Sequence, residues 1–377
     1  MGDWRYIAER LDGNGGGVLL DSALPLQGAS VATRVSGASS ITGSITPAAA
    51  RLVGLDGYPL LQEWSTAIYA EYRGEIRAGC IVTDLTANGP ELSVSSVGFS
   101  GYPQGMPYTG SKFWVNEDPL TFVRWIWQHL QGSPGGNLGL QVDSSTTTPV
   151  RRGTELRQAE FDTQAGPVSF ENGPYRLAWY ETDDCGKAID DLASETPFDF
   201  VERHAWIGET EQIGHYLDFG YPRIGTQKEG LRFVEGENIR VPVSRSRAGD
   251  SFATEVMTLG AGEGRAMVRG SAIIDRGPRI RRVAVVTDKQ LKSIKAANSR
   301  AYDEAMARQS REGIDTIVVT DTDAVPFGSW SDGDDILLTL NSDWGSFDTW
   351  VRVLATTYAP EAGTATLSVR RTDMLSA

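Results

Sequence analysis

The sequence predicts a β-rich α+β fold, and three observations carry that prediction. Short apolar segments alternate with Gly-rich turns from Trp4 to about Gly110, which is how strands of a barrel or sandwich read. A strand, strand, turn, strand layout at 67–97 recurs at 336–370. Few stretches carry the three-and-four spacing of a helix face buried on one side. With 377 residues the chain exceeds one ordinary core, so several units are expected. They are an N-terminal β-domain at 1–115, a helical connecting region at 116–195, a β-rich middle domain at 196–287, and a long helix with a C-terminal β-domain at 288–377.

In chain order, Thr46 and Pro47 supply an N-cap hydroxyl and a proline at the first helical position, so a short helix is expected there. An antiparallel meander follows at 67–72, 75–83 and 91–97, with turns at Arg73-Gly74 and Ala87–Pro90. Asp118-Pro119 repeats the helix-start signal, and Phe122, Trp125, Ile126, His129 and Leu130 mark an amphipathic helix up to Gly132. The Gly, Pro, Ser and Thr of 133–173 predict long connections around short elements. A helix at Asp184–Ser194, with Ile189, Leu192 and Ala193 on one side, ends before Pro197. From Phe198 the period becomes two, and the stretch pairs back on Tyr216–Gly220 as a hairpin. Strands are expected at 238–243 and 253–259. The longest helix is capped by Thr287 or Asp288 and runs to Gly313, with Leu291, Ile294, Ala297, Ala301 and Ala305 along one face. The second meander occupies 335–340, 347–358 and 364–370.

Charge narrows the function. Thirty-five basic residues face 49 acidic ones, a net of −14, which repels phosphate backbones and anionic lipid. The apolar runs are far shorter than the roughly 18 residues of a membrane span. Asp3 stands where a signal peptide carries basic charge, so export by the general secretory route is not expected and synthesis in a reducing cytosol is. Cys80 and Cys185 are too far apart in sequence to form a metal box.

The candidate motifs fall short of catalysis. Gly260–Arg265 lacks the Gly-Lys-Ser/Thr ending of a phosphate loop and reads as a turn. Asp12-Gly13-Asn14-Gly15 opens like a calcium loop, but Ala23 stands where its bidentate glutamate should be. Asp332, Asp334 and Asp335 offer oxygens to a hard cation or form a solvated turn. His204 and His215, on opposite arms of the hairpin, either help to hold zinc or pack together. There is no G-x-S-x-G elbow and Cys80 has no neighbouring histidine in sequence. Asp183-Asp184 and Asp190-Asp191 are paired carboxylates without an evident cleft. Trp125, Trp127, Trp330, Trp344 and Trp350 suit sugar stacking, core packing or subunit contact. No enzyme, cofactor or metal is expected. Arg265, Arg269, Arg276, Arg279, Arg281 and Arg282 are crowded into one segment, whereas Asp315, Asp321, Asp323, Asp332, Asp334 and Asp335 follow further on; such opposite local charge either permits head-to-tail subunit pairing, with the arginines as the candidate subunit interface, or is a solvated surface.

Five stretches then combine: Trp4–Leu11; Gly98–Pro103 with Gly105–Tyr108; Gly220–Gly225; Phe233–Ile239; and Leu259–Arg265. Together they resemble the minor tail proteins that form the tail hub, or baseplate hub, of long non-contractile-tailed phages infecting actinobacteria. The resemblance covers residues 4 to 373. It implies two tube-like antiparallel β-barrel domains with intervening α+β segments, and a homotrimer that presents six similar units to a six-fold tail tube. It implies as partners the distal tail or tail tube protein, the tape-measure protein and other minor tail proteins, with DNA passing through unbound. The implied place is the virion's tail tip, and no catalytic residue is carried over. Against this stand a carbohydrate-binding or cell-wall-degrading tail protein, suggested by the aromatics and paired carboxylates, and a six-copy distal-tail adaptor.

Overall fold

The computed structural model describes residues 3–372 except 55–56, 164–165, 182, 209, 211, 247–251, 263, 289–290, 292, 309–312 and 343–344. The N-terminal part contains β1 (Trp4–Leu11), β2 (Gly17–Asp21), β3 (Gln27–Arg34), β4 (Ser40–Ile45), the one-turn helix α1 (Pro47–Ala50), β5 (Thr66–Tyr72), β6 (Glu75–Asn88) and β7 (Glu91–Gly98). Next come β8 (Ser111–Trp114), α2 (Pro119–Gln131), β9 (Leu140–Val142), β10 (Arg157–Thr163), β11 (Gly166–Asn172), β12 (Tyr175–Ala178) and α3 (Cys185–Glu195). The middle holds β13 (Asp199–Trp206), β14 (Ile213–Gly220), β15 (Gln227–Val234), β16 (Arg245–Ser246), β17 (Glu255–Leu259), β18 (Arg269–Ile273), β19 (Val283–Thr287) and α4 (Ile294–Ala307). The chain closes with β20 (Gly313–Ile314), β21 (Thr316–Thr320), β22 (Asp335–Ser342), β23 (Gly345–Ala359) and β24 (Thr364–Arg371).

Both expected meanders are present, and they belong to one sheet. Its order is β15-β22-β23-β3-β4-β7-β6-β5-β1-β2, with β24 and β21 branching from β23. Each half has the same pairing sequence. In the first it is β1-β5-β6-β7-β4-β3; in the second it is β15-β22-β23-β24-β21, continued to Ile239 by an isolated bridge to Val319. The halves differ in that β1 runs antiparallel to β5 whereas β15 runs parallel to β22. The β-rich α+β class therefore holds, but among the described residues no ladder closes a separate barrel. The second ring is completed only by single-residue bridges at Ile239.

The fifteen-residue strand β23 joins the halves. Along one edge it pairs with β24; along the other it pairs first with β22, through Gly345–Arg352, and then with β3, through Ala355–Tyr358. Aromatics pack over this seam: Trp4 lies 5.0 Å from Tyr72 and 5.2 Å from Tyr358, and Phe327 lies 5.7 Å from Tyr72 and 5.3 Å from Tyr358. One apolar core consequently runs through both halves, from Ile41, Ile68 and Val94 to Leu338, Val353 and Leu367.

A buried ion pair ties the seam to the middle region. The Arg352 guanidinium bonds the Asp199 carboxylate and donates to the carbonyls of Ile224, at 2.9 Å, and Gly333, at 3.2 Å. Asp199 also accepts from the Ile224 N–H at 2.9 Å and the Ser36 hydroxyl at 3.3 Å. The crossing requires glycine at Gly225, where φ is +101° and a Cβ would stand 2.0 Å from the Gly333 carbonyl oxygen.

A second core forms because β5 is buried on both faces. Ile68, Ala70 and Tyr72 enter the first core, whereas Ala67 and Tyr69 enter the second. That second core is closed by Leu120, Phe122, Val123, Ile126, Trp127 and Leu130 of α2, by Ile189 and Leu192 of α3, and by Phe200, Leu217 and Phe219 of the β13-β14 hairpin. Asp118 caps α2 as expected, its carboxylate accepting from the Leu120 N–H at 3.0 Å. His204 and His215 stand directly opposite each other, with Nδ1 atoms 3.1 Å apart, packed on Tyr69 and Phe99. The hairpin pairing thus sets them together as packed core side chains.

Two expected elements differ. The stretch 238–243 is no strand: the Asn238 side chain accepts from the Val234 N–H and donates to the Arg232 carbonyl, turning the chain so that only Ile239 bridges. The longest helix runs from Ile294 to Ala307, not from 287 or 288 to Gly313, with Ser293 as its cap and Leu291 outside it. Upstream of it, the β-branched run Val283–Thr287 pairs in parallel with β17 as a strand. Ala297, Ala301 and Ala305 do form the buried face of α4, and Gly270 of β18 packs so close that a Cβ there would lie 2.3 Å from the Ala297 backbone.

Replacing Arg352 by Met strands Asp199 beneath the seam and is expected to cost about 3–5 kcal/mol, read as a lowered denaturant midpoint. The exposed Arg232–Asp348 pair is the control, with Arg232→Met costing at most about 1 kcal/mol; equal losses would show that the Arg352 pair is no keystone. Burial holds His204 well below the ordinary histidine range and His215 at about 4. The unfolded chain therefore binds more protons between about pH 6.5 and 4, and stability falls as pH drops through that window. Glu9 and Glu202, pushed up by burial, act in the opposite sense. His215→Gln is expected to remove on the order of 3 kcal/mol of this acid sensitivity by pH 4, and an unchanged midpoint-against-pH curve would refute it.

Candidate assembly surfaces

The arginine segment belongs to a small module in which α4 covers one face of the sheet β18-β17-β19. Val256, Ala284 and Val286 of its strands pack with Ala301 and Ala305 of α4. Register sends the alternate residues outward: Ile273, Glu255 and Val283 form one row, Ser271, Met257 and Val285 the next, and Arg269, Leu259 and Thr287 the third. An outward strand face is ordinarily polar. Here Ile273 is 77% exposed, Val285 53% and Val283 44%, and Ile280 in the following loop is 77% exposed.

The six arginines frame this face without gathering at one point. Arg276, Arg279, Arg281 and Arg282 lie in the β18-β19 connection, at the Glu255 end, while Arg265 and Arg269 lie at the Leu259 end. All six are exposed. Arg281 pairs with Glu255 at 2.6 Å, and Arg279 stacks 4.7 Å over Phe252.

A second exposed patch lies on the β8-β12 ladder, where Phe113 stands opposite Arg176. Phe113 is 66% exposed, Trp179 64% and Tyr180 55%, with the two last rings 5.5 Å apart edge to face. The chain turns directly from Tyr180 into Glu181, Asp183 and the α3 cap Asp184, and Asp190 and Asp191 are exposed on α3. Glu181 and Asp183-Asp184 thus follow the two rings in the chain, as the run Trp179-Tyr180-Glu181 already spells; Glu181 pairs with Arg176 of β12 and Asp191 with Lys187.

The other candidate residues are structural. Asp334 accepts from the Thr226 N–H at 2.8 Å and the Ser331 N–H at 2.8 Å, Asp335 holds Arg223 at 3.1 Å, and Asp332 accepts from the Thr356 hydroxyl at 2.7 Å. These carboxylates pin the 223–226 loop and β23 to the start of β22. Among the described residues no three His, Cys, Asp or Glu side chains gather as a metal would need. Trp127 and Trp330 are core residues, Trp125 donates to the Tyr108 hydroxyl at 2.8 Å, and Trp350 is half-buried. Trp344 lies outside the described residues. Cys80 and Cys185 are buried free thiols, and burial raises both, Cys185 to about 11. Among the described residues no helix is long and apolar enough to cross a membrane.

Solved structures share this architecture from end to end. The 43 kDa tail protein of prophage MuSo2 from Shewanella oneidensis superposes with a TM-score of 0.58 at 13% identity, covering 99% of this chain and 100% of its own. Prophage tail protein gp18 from Listeria monocytogenes EGD-e gives 0.53 at 14% identity, over 98% and 95%. The tail protein from Neisseria meningitidis MC58 gives 0.53 at 13% identity, over 98% and 97%. At these identities the likeness establishes the fold, which this chain shares with phage tail proteins over almost its whole length. No protein-family model matches the sequence, and no curated protein matches it.

Because Ile273 and Val285 are mostly exposed within the chain, the double substitution Ile273→Thr, Val285→Thr is expected to shift folding stability by no more than about 0.5 kcal/mol. A larger loss in thermal or urea unfolding would mean that the face is packed within its own chain.

Proposed function

We propose that this chain is a structural protein of a phage tail and serves as the hub of a long non-contractile tail, joining the tail tube to the tip around the channel through which DNA leaves. The observation that carries this reading is the end-to-end fold shared with phage tail proteins, built here as two halves with the same strand-pairing order on one sheet. A protein that carries two similar units can match a six-fold tube with three copies. On this reading the chain is a homotrimer of the virion's tail tip, contacts the distal tail or tail tube protein, the tape-measure protein and further minor tail proteins, and belongs with the hub proteins of actinobacterial phages. The arginine-framed module supplies the subunit contact.

The sheet surface suits a conduit. Across β3, β4, β7 and β6 two outward rows run Ser30, Thr42, Ser95, Asp84 and Gln27, Ser44, Ser93, Thr86. These rows contain hydroxyls, an amide and one carboxylate but no cation, so a phosphate backbone finds no partner whose counterion exchange would hold it. The hub is a scaffold with no catalytic step; receptor recognition and wall cleavage fall to other tail proteins.

A cryo-electron microscopy map of the tail tip with no symmetry imposed tests this. Three copies around the axis, with both halves of each facing a pseudo-six-fold ring, are expected. Six copies would make the chain an adaptor, and peripheral copies that release sugar or peptide from host cell wall would make it a wall-degrading protein.

A further inference from the structure

The charged segments that adjoin the two exposed patches are opposite in sign. Residues 265–282 carry six arginines against the single Asp275, a local charge of +5. Residues 181–195 carry six carboxylates, Glu181, Asp183, Asp184, Asp190, Asp191 and Glu195, against the single Lys187, a local charge of −5. Each charged segment borders large apolar side chains left open to water, aliphatic in the first patch and aromatic in the second. Exposed apolar surface rimmed by charge marks an interaction site, and complementary rims steer partners and fix their register.

We propose that these patches are the two halves of one contact between copies of this chain, the arginine-framed outer face of β18-β17-β19 on one copy seating on the Phe113, Trp179 and Tyr180 surface of the next. The inference rests on the structural-tail reading in one respect, that copies of the chain meet. A two-fold axis through either patch is disfavoured, because it sets arginines against arginines or carboxylates against carboxylates, so unlike patches meet. When they meet once per contact, each copy keeps one half free for the next neighbour, and the assembly closes into a ring when the rotation allows. Each patch finds its complement on the same sequence, which favours a second copy over an unrelated partner.

Crosslinking of the full-length chain tests this. The native thiols Cys80 and Cys185 are buried, so cysteines introduced at the surface react selectively with a short bismaleimide. Chains carrying Ile280→Cys, mixed with chains carrying Tyr180→Cys, are expected to give a mixed crosslinked dimer, with little linkage within either population alone. Adding Arg276→Glu and Arg279→Glu to the first chain is expected to cut the yield about tenfold or more, and adding Asp190→Lys and Asp191→Lys to the second is expected to restore it. Ile280→Cys chains that link to one another as readily, reversals that change nothing, or no mixed dimer at the highest soluble concentration would each overturn the contact. The hub reading fails separately. Three axial copies in a tail that lack the 280-to-180 link keep the hub and remove this contact, whereas a linked ring absent from tail tips keeps the contact and removes the hub.

Discussion

The architecture depends on how β23 divides one edge between two partners. Its first half completes the C-terminal meander against β22, and its second half continues the ladder into β3. A strand of ordinary length, about 5–6 residues, could serve only one of these roles. Fifteen residues serve both, so the two halves share backbone hydrogen bonds, not merely a side-chain interface. The Arg352–Asp199 pair acts at the same place, because Asp199 opens the β13-β14 hairpin and Arg352 ends the β22-paired stretch. Charge is tolerated in this interior because the guanidinium and carboxylate also satisfy the 224 and 333 backbone.

From that seam the rest of the packing follows. Joined end to end, the halves expose a wide sheet whose inner face must be covered, and the Trp4, Tyr72, Phe327 and Tyr358 cluster fills the gap where their cores meet. On the far side of β5 the helices α2 and α3 and the β13-β14 hairpin form a second layer. The buried Tyr69 hydroxyl donates to Glu9 at 2.6 Å, so a carboxylate between the two layers is not left without a partner. A protein whose halves share a ladder resists separation better than one whose domains only touch.

The module of β17, β18, β19 and α4 is organised differently. Small side chains, Gly270 with Ala297 and Ala301, bring helix and sheet into close approach on one face. The other face keeps isoleucine and valine in water. An exposed apolar sheet face of this kind fits the subunit contact proposed above. The acidic cluster at 332–335 instead uses its oxygens to hold loop 223–226 against β22.

Much of this was legible in the sequence. Asp118-Pro119 specified the start of α2, the period-two run from Phe198 specified a hairpin with its histidines face to face, and both meanders stood out by their turns. These are local signals, set by capping, alternation and turn chemistry within a few residues. The resemblance pointed to phage tail proteins, whose fold the superpositions show this chain to share; the two separate barrels it implied are instead one sheet. Two readings failed for different reasons: Val283–Thr287 became a strand because β17 offered it a ladder, whereas 238–243 turned because the Asn238 side chain took the hydrogen bonds of backbone groups four and six residues away. The sequence by itself determined the class, the order of most elements and the arginine-rich segment. Only the tertiary structure decided that the meanders share one sheet, which depends on the pairing of Ala355–Tyr358 with Val31–Arg34 at the far end of the chain, and that the arginines frame an apolar face, which depends on the register of β18 and β19 on β17. Ladders between separate segments are not written in any local pattern.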